Sequence, residues 1–292
     1  MDFKLRTYQI DDTEKKTKVN GFFRSYGSNW SRVCACNGVL LLSNILSMVL
    51  SLMIVMLVFP MIFSFFLPDT LKDTLISSGI VTAESATDEA VENLYFLMTM
   101  FSSMMMIGFM TIVNGPIYTA ISYYFRNLIR GDANFKSDFK KSLKENWKVS
   151  LGMSLLSILI TFILLYNIGY YQQAKLGYVS TIARGFFTCL LVFWICMQIY
   201  VYPLIACVEL KFKEVIKNAA ILTVSNFPAS MGIFLLELVL YAVIPFTLMI
   251  TLKQAGYGIA TLLYLLFSYG FVSFLSTHLT WKSIQKLIER NH

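Results

Sequence analysis

The chain has 292 residues, 57% of them hydrophobic and only 14% charged, with a mean hydropathy of +0.63 and a formal net charge of +7. A soluble domain is closer to half apolar and a quarter charged, so this composition excludes an ordinary water-soluble globule. The basic excess is no nucleic-acid footprint either, because the lysines and arginines flank apolar runs.

In chain order, a hydrophilic segment over 1–33 comes first. It lacks the short apolar core and small-residue cleavage site of a signal peptide. Val19, Phe22, Phe23, Tyr26 and Trp30 recur there at helical spacing. Six apolar runs follow, at about 34–67, 94–125, 148–170, 184–208, 229–252 and 257–280. Each reaches the ~20 residues that cross a ~30 Å hydrocarbon core at ~1.5 Å per residue. The first two are longer, which calls for tilt, kinks or extension beyond the bilayer. The expected fold is an all-α bundle of six transmembrane helices with amphipathic cytoplasmic helices, forming one membrane domain over 1–292.

The segments between the runs differ in charge. Segment 68–93 carries Asp69, Asp73, Glu84, Asp88, Glu89 and Glu92 against Lys72, and its 71–80 stretch has the composition of a short helix. Asp88, Glu89 and Glu92 lack the alternating ligand spacing and the Gly of a calcium loop, so a solvated acidic face is the reading there. Segment 126–148 places Phe135, Phe139, Leu143 and Trp147 four residues apart with Lys136, Lys140, Lys141 and Lys144 between them. Segment 209–228 repeats the pattern with Phe212, Val215, Ile216 and Ala219, and the tail with Trp281, Ile284, Leu287 and Ile288. Such spacing gives a helix one apolar face. Two readings fit: helices lying in the inner interface against anionic lipid or a partner, or helices packed on the bundle itself.

Charge sets the orientation. Twenty of the 24 Lys and Arg lie in 1–33, 126–148, 209–228 and the tail; Lys72, Lys175, Arg184 and Lys253 are the rest. Basic loops stay on the cytoplasmic side, so both termini are expected inside, in a multi-pass protein of the cell membrane. None of the five cysteines falls in an outer loop, which reads as inert thiols with no disulfide framework.

Polar residues inside the runs are costly and need partners. Asn37, Asn44 and Ser51 lie seven apart in the first run; Asn114 precedes Gly115-Pro116 in the second; Gln198 sits in the fourth and Glu237 in the fifth. Counted from the inner ends, most lie at similar depth. They form a candidate intramembrane polar layer of Asn37, Asn44, Asn114, Gln198 and Glu237, serving either as a ligand or ion site or as interhelical hydrogen bonding. Pro116 and Pro203 are placed to break the backbone ladder at that depth. No catalytic, cofactor or metal set is legible. There are two histidines, no metal-spaced cluster, no phosphate-binding Gly-rich loop and no nucleophile elbow. The expectation is a protein that is not an enzyme and needs no cofactor.

An internal repeat is suggested by Asn146-Trp147-Lys148-Val149-Ser150-Leu151-Gly152 and Asn226-Phe227-Pro228-Ala229-Ser230-Met231-Gly232, with Asn29-Trp30 keeping the first two positions. It reads as three parallel two-span units, each opened by an amphipathic inner helix.

Residues 114–152 also carry a resemblance. Asn114-Gly115-Pro116-Ile117-Tyr118-Thr119-Ala120, Tyr124-Phe125-Arg126, Arg130-Gly131-Asp132, Phe135, Phe139 and Lys144-Glu145-Asn146-Trp147-Lys148 resemble the YesL-like family of bacterial membrane proteins, a domain of unknown function. Tyr202-Pro203-Leu204, Lys217-Asn218-Ala219 and Asn226-Phe227-Pro228 look like its second half. The acidic outer loop and the long basic N-terminus look like additions to that pattern. The resemblance implies an accessory or regulatory component in a carbohydrate-uptake setting, since members often sit beside genes for carbohydrate ABC importers. It implies no site residues. The partners expected are membrane lipids and a sugar ABC importer or another membrane protein, with no nucleic acid. The alternative is a small-solute transporter or transporter subunit using the polar layer.

Overall fold

The computed structural model describes residues 4–5, 21–62, 67–79, 82, 87–96, 98–99, 114–173, 177–252, 254–263 and 268–290. They are helical almost throughout. The elements are α1 (Phe22–Met53), α2 (Phe59–Ile62), α3 (Pro68–Ser77), a helical stretch at 88–96, α4 (Gly115–Arg130), α5 (Phe135–Gln173), α6 (Tyr178–Cys207), α7 (Phe212–Ser225), α8 (Phe227–Leu238), α9 (Ile244–Leu252), α10 (Gln254–Leu263) and α11 (Tyr269–Arg290). A two-residue antiparallel pairing of β1 (Lys4–Leu5) with β2 (Val208–Glu209) sets Lys4 opposite Glu209.

Among the described residues three helices are long and apolar enough to cross a membrane: Phe135–Gln172, Tyr178–Cys207 and Phe227–Leu252. They contain the runs expected at 148–170, 184–208 and 229–252. The other three expected spans, 34–67, 94–125 and 257–280, each include residues outside the described set.

The chain divides into two compact units, residues 1–41 with 113–292, and residues 42–112. In the smaller unit, α3 starts on Pro68, whose fixed φ suits the first turn, and ends at Gly79 with φ of 69°. Lys72 bridges from α3 to Asp88 at 2.6 Å and holds that carboxyl below the usual carboxylate range. Asp88, Glu89 and Glu92 are all exposed, and no group of metal-ligating side chains is present among the described residues.

The larger unit is built around an α4–α5 hairpin. Gly131, at φ of 95°, ends α4 in the left-handed conformation. Asp132 N–H donates to the Asn127 carbonyl and Gly131 N–H to the Leu128 carbonyl, the paired bonds of a Schellman turn. The Arg130-Gly131-Asp132 motif is therefore a chain reversal. Across it, the Asp138 carboxylate accepts from Asn134 N–H at 2.9 Å and starts α5.

From there α5 runs 39 residues, roughly 58 Å, without a break. The amphipathic 135–147 segment and the third span are one rod. At the matching place in the second motif the rod is broken. Pro228 cannot donate to the Val224 carbonyl, so α7 ends, Asn226 turns at φ −113° and ψ 33°, and α8 begins. Lys148 stands where Pro228 does and leaves α5 intact.

Two further prolines act differently. Pro60 and Pro245 each follow a π-helical segment, Ile54–Val58 and Val239–Val243, at the same two-residue offset. Widening the turn relieves the clash of the proline ring with the carbonyl four residues back. Pro203 stays inside α6, whereas Pro116 occupies the first turn of α4 and initiates it.

Two clusters fill the larger unit. Val33, Cys36 and Leu40 of α1 pack with Ile121, Tyr124, Phe125 and Leu128 of α4 and Phe274 of α11. Met153 of α5, the inward face of α6, Val215, Ala219 and Leu222 of α7, Ile233 of α8, and Trp281 and Ile284 of α11 form the other. The second cluster decides one open question. The apolar faces of segment 209–228 and of the tail, as far as Ile284, pack on the bundle; the side chains of Leu287 and Ile288 lie outside the described set. The N-terminal face splits. Phe22 and Tyr26 ring-pack against Phe271 at 5.6 and 5.2 Å, Phe23 and Trp30 stay 84% and 60% exposed, and Val19 lies outside the described residues.

Candidate functional site

The buried face of α5 is not its aromatic face. Asp138, Ser142, Asn146, Ser150, Ser154 and Ser157, spaced three or four apart, are all buried. Small and polar residues let helix backbones approach and hydrogen-bond where lipid gives no hydrophobic gain. α4 answers with Gly115, Thr119, Ser122 and Arg126 on its buried face. The Thr119 and Ser150 hydroxyls bond at 2.8 Å. Ser154 gives its proton to the Ser150 carbonyl at 2.9 Å and accepts from the Tyr202 hydroxyl at 3.3 Å, which ties in α6. At the crossing, a methyl group on Gly115 would overlap Ser154 Oγ and stand 2.7 Å from the Tyr202 ring and 2.9 Å from the Ser150 carbonyl. Only glycine fits there.

At one end of this seam lies Arg126, 4% exposed. It donates to the Ala206 carbonyl at 3.1 Å and to Asn127 Oδ1 at 3.1 and 3.0 Å, and its guanidinium covers the Tyr123 ring at 4.2 Å. No carboxylate pairs with it among the described residues. Its charge is met by the C-terminus of α6, where the last carbonyls lack helical partners and the helix dipole is negative.

The expected polar layer is dispersed over several interfaces. Asn37, fully buried, accepts from Gly270 N–H at 2.7 Å. It thereby satisfies one of the orphan donors at the start of α11, as an N-cap supplied by another helix. Asn44 is buried in the smaller unit. Asn114 caps α4 through its own carbonyl, which accepts from Ile117 and Tyr118 N–H at 2.9 and 3.1 Å. Gln198 follows Trp194 by four residues and precedes Tyr202 by four, so all three share the α6 face that meets α5. Glu237 lies on α8, and Cys196, two positions from Gln198 and so roughly 200° around α6, meets that helix at the Ser230 carbonyl, 4.0 Å away. Gln198 and Glu237 therefore belong to opposite sides of α6. On the Cys196 side, the Tyr200 hydroxyl bonds Ser230 at 2.8 Å, which sets α8 against α6.

Of the expected docking face, Phe139 is half-buried against the first cluster and stacks on Phe135 at 5.5 Å. Phe135, Leu143 and Trp147 are 38%, 37% and 47% exposed, and Lys148 stands 5.7 Å from the Trp147 ring.

Sequence reasoning missed the serine stripe and Arg126. Their signals were present: Ser, Asn, Ser and Ser recur every four residues from 142 to 154, and Arg126 sits at the end of an apolar run. Buried atoms are left unpaired on both helices: Asn146 Oδ1 and Ser157 Oγ on α5, and Trp194 Nε1 and both amide atoms of Gln198 on α6.

Comparison with known proteins gives a family match. A family model described as "Protein of unknown function, DUF624" covers residues 90–168, which include α4 and most of α5. This agrees with the resemblance drawn from residues 114–152 and adds no function. No curated protein matches, and no solved structure does.

Proposed function

We propose that this chain is a non-enzymatic accessory or regulatory component of carbohydrate uptake in a bacterial cell membrane, docking another membrane protein through its inner-side helices. In this reading six spans cross the bilayer with both termini inside, in three parallel two-span units. The charge split supports the orientation. The serines at matching motif positions, Ser150 and Ser230, each bond the apolar run before their own, Ser150 to Thr119 and Ser230 to Tyr200, which supports the repeat.

The observation that carries docking is the exposed edge of Phe135, Leu143 and Trp147. It lies on a rod that runs unbroken into the third span, so a partner seated there is coupled rigidly to the bundle. The carbohydrate setting comes from the family resemblance alone. A photo-crosslinking residue at position 147 should capture a co-expressed permease subunit of a carbohydrate importer, and one at buried position 146 should not. Capture of lipid alone from position 147 rejects the docking reading.

The alternative is a small-solute transporter or transporter subunit using intramembrane polar groups. It is favoured by one feature, the unpaired polar atoms between α5 and α6.

A further inference from the structure

The geometry points to a binding site for one ring of an uncharged, polyhydroxylated solute between α5 and α6, lined by Ser157, Trp194 and Gln198. It stands apart from the docking face and gives a ligand class to the solute-site alternative, on which it rests.

The register of the two helices places these residues together. Ser154 meets Tyr202 through their hydroxyls at 3.3 Å, and Tyr171 stacks on Phe187 at 5.7 Å further along the same antiparallel pair. Advancing three residues on α5 and stepping back four on α6 brings Ser157 level with Gln198. Trp194 lies one turn beyond, about 6 Å along the axis. Ser157 is 0% and Trp194 6% exposed. Neither the Ser157 hydroxyl, the Trp194 indole N–H nor either amide atom of Gln198 has a hydrogen-bond partner.

Ser157 makes the point most sharply. Ser154 and Thr223 give their protons to a carbonyl four residues back, whereas Ser157 does not. A buried polar atom left unpaired costs about 1–3 kcal/mol, and here four atoms share one interface. The atoms supply donors from all three side chains and acceptors from Ser157 and Gln198. No carboxylate, lysine or arginine lies on these faces at that level, so a charged ligand has no counter-ion. Donors and acceptors spread over about 6 Å beside an indole fit the hydroxyls and apolar face of one sugar or cyclitol ring. Gln198 lies nine residues from the α6 C-terminus, about 14 Å into the span, at the depth where solute sites sit in membrane bundles.

The test uses the full-length protein in detergent micelles, probed with D-glucose, D-galactose, D-xylose and myo-inositol, with D-gluconate as the charged control. At least one neutral probe should quench tryptophan fluorescence saturably and raise the melting temperature by several degrees, while gluconate does neither. Gln198→Leu and Ser157→Ala should abolish both effects and, free of unpaired polar atoms, melt no lower than the parent without ligand. Trp194→Phe should lose the quench. No effect from any neutral probe overturns the proposal. So does a Gln198→Leu protein that still responds, or one that melts lower without ligand, because the amide then serves the fold. A solute response surviving in Gln198→Leu would leave the transporter reading standing and sink only this site.

Discussion

Gly115→Ala tests the crossing of α4, α5 and α6 with one methyl group. The added carbon meets three obstacles of different stiffness. Ser154 Oγ rotates away, at the cost of its bonds to the Ser150 carbonyl and to Tyr202. The Tyr202 ring, at 2.7 Å, shifts only by disturbing its stack on Tyr118 at 5.9 Å. The Ser150 carbonyl, at 2.9 Å, is backbone and moves only with α5. Overpacking of this kind costs about 1–3 kcal/mol, and each lost neutral hydrogen bond about 0.5–1.5 kcal/mol. The sum is about 3 kcal/mol, offset by less than ~1 kcal/mol from the better helix propensity of alanine. The control is Gly169→Ala in α5, where an added methyl meets nothing within 4 Å and should be neutral or slightly stabilising. Gly115→Ala with Ser154→Ala removes the first obstacle and should recover about 1 kcal/mol, a coupling that a thermodynamic cycle reads directly. Reversible denaturation in mixed micelles supplies the energies. If Gly115→Ala and Gly169→Ala are equally stable, α4, α5 and α6 do not cross at Gly115.

Asn37→Leu should cost about 1–3 kcal/mol, because it leaves Gly270 N–H buried and unpaired, and hydrogen exchange should quicken at Gly270. Arg126→Met removes the donor to the Ala206 carbonyl and should cost about 2 kcal/mol, with fraying at the C-terminus of α6 as its local signature. Asp88 is held below its ordinary pKa by Lys72, so the ion pair is complete above about pH 4 and is lost as pH falls through the lowered value. The pair is exposed, so Lys72→Met should leave the melting temperature at pH 7 unchanged; a clear drop contradicts its surface placement. Single cysteines at 85 and 140 of a cysteine-free variant should differ toward an impermeant reagent in intact cells, and labelling at 140 but not at 85 overturns the proposed orientation.

The long helices were legible because length and apolar clustering report them without any tertiary knowledge. α5, α6 and the 227–252 helix needed nothing more. The inward faces were less legible. In water the apolar face of an amphipathic helix is the buried one, and that rule selects Phe135, Phe139, Leu143 and Trp147. Against lipid the rule weakens, since aromatic and aliphatic side chains are as content outside as inside. The packing face of α5 is the one with Ser142, Asn146, Ser150 and Ser154, whose short polar side chains allow approach and bond on contact. In α7 the water rule held, and Val215, Ala219 and Leu222 are buried. Pro116 shows a second limit. A proline in an apolar run reads as a kink, and only the turn at Asn114 reveals it as a start.

Several members of the expected polar layer have local structural partners, and one physical reason explains them. A membrane bundle must satisfy every backbone group that leaves a regular helix, because no water replaces the lost bond. The chain is irregular at Ser268 and at the start of α11, and polar side chains are found there. Asn37 takes Gly270 N–H, the Tyr241 hydroxyl donates to the Ser268 carbonyl at 3.3 Å, and Ser268 Oγ donates to the Leu263 carbonyl at 3.2 Å. Tyr241 itself lies in the π segment that accommodates Pro245. One irregular turn thus supplies the side chain that satisfies the next. Asn37 serves the backbone in this way, as Asn114 does through its carbonyl at the start of α4. Gln198 has no such employment: α6 is regular around it, and its amide reaches neither a carbonyl nor an N–H. Gln198, like Ser157 on α5, thus has no backbone task, and an external ligand is the explanation proposed for both.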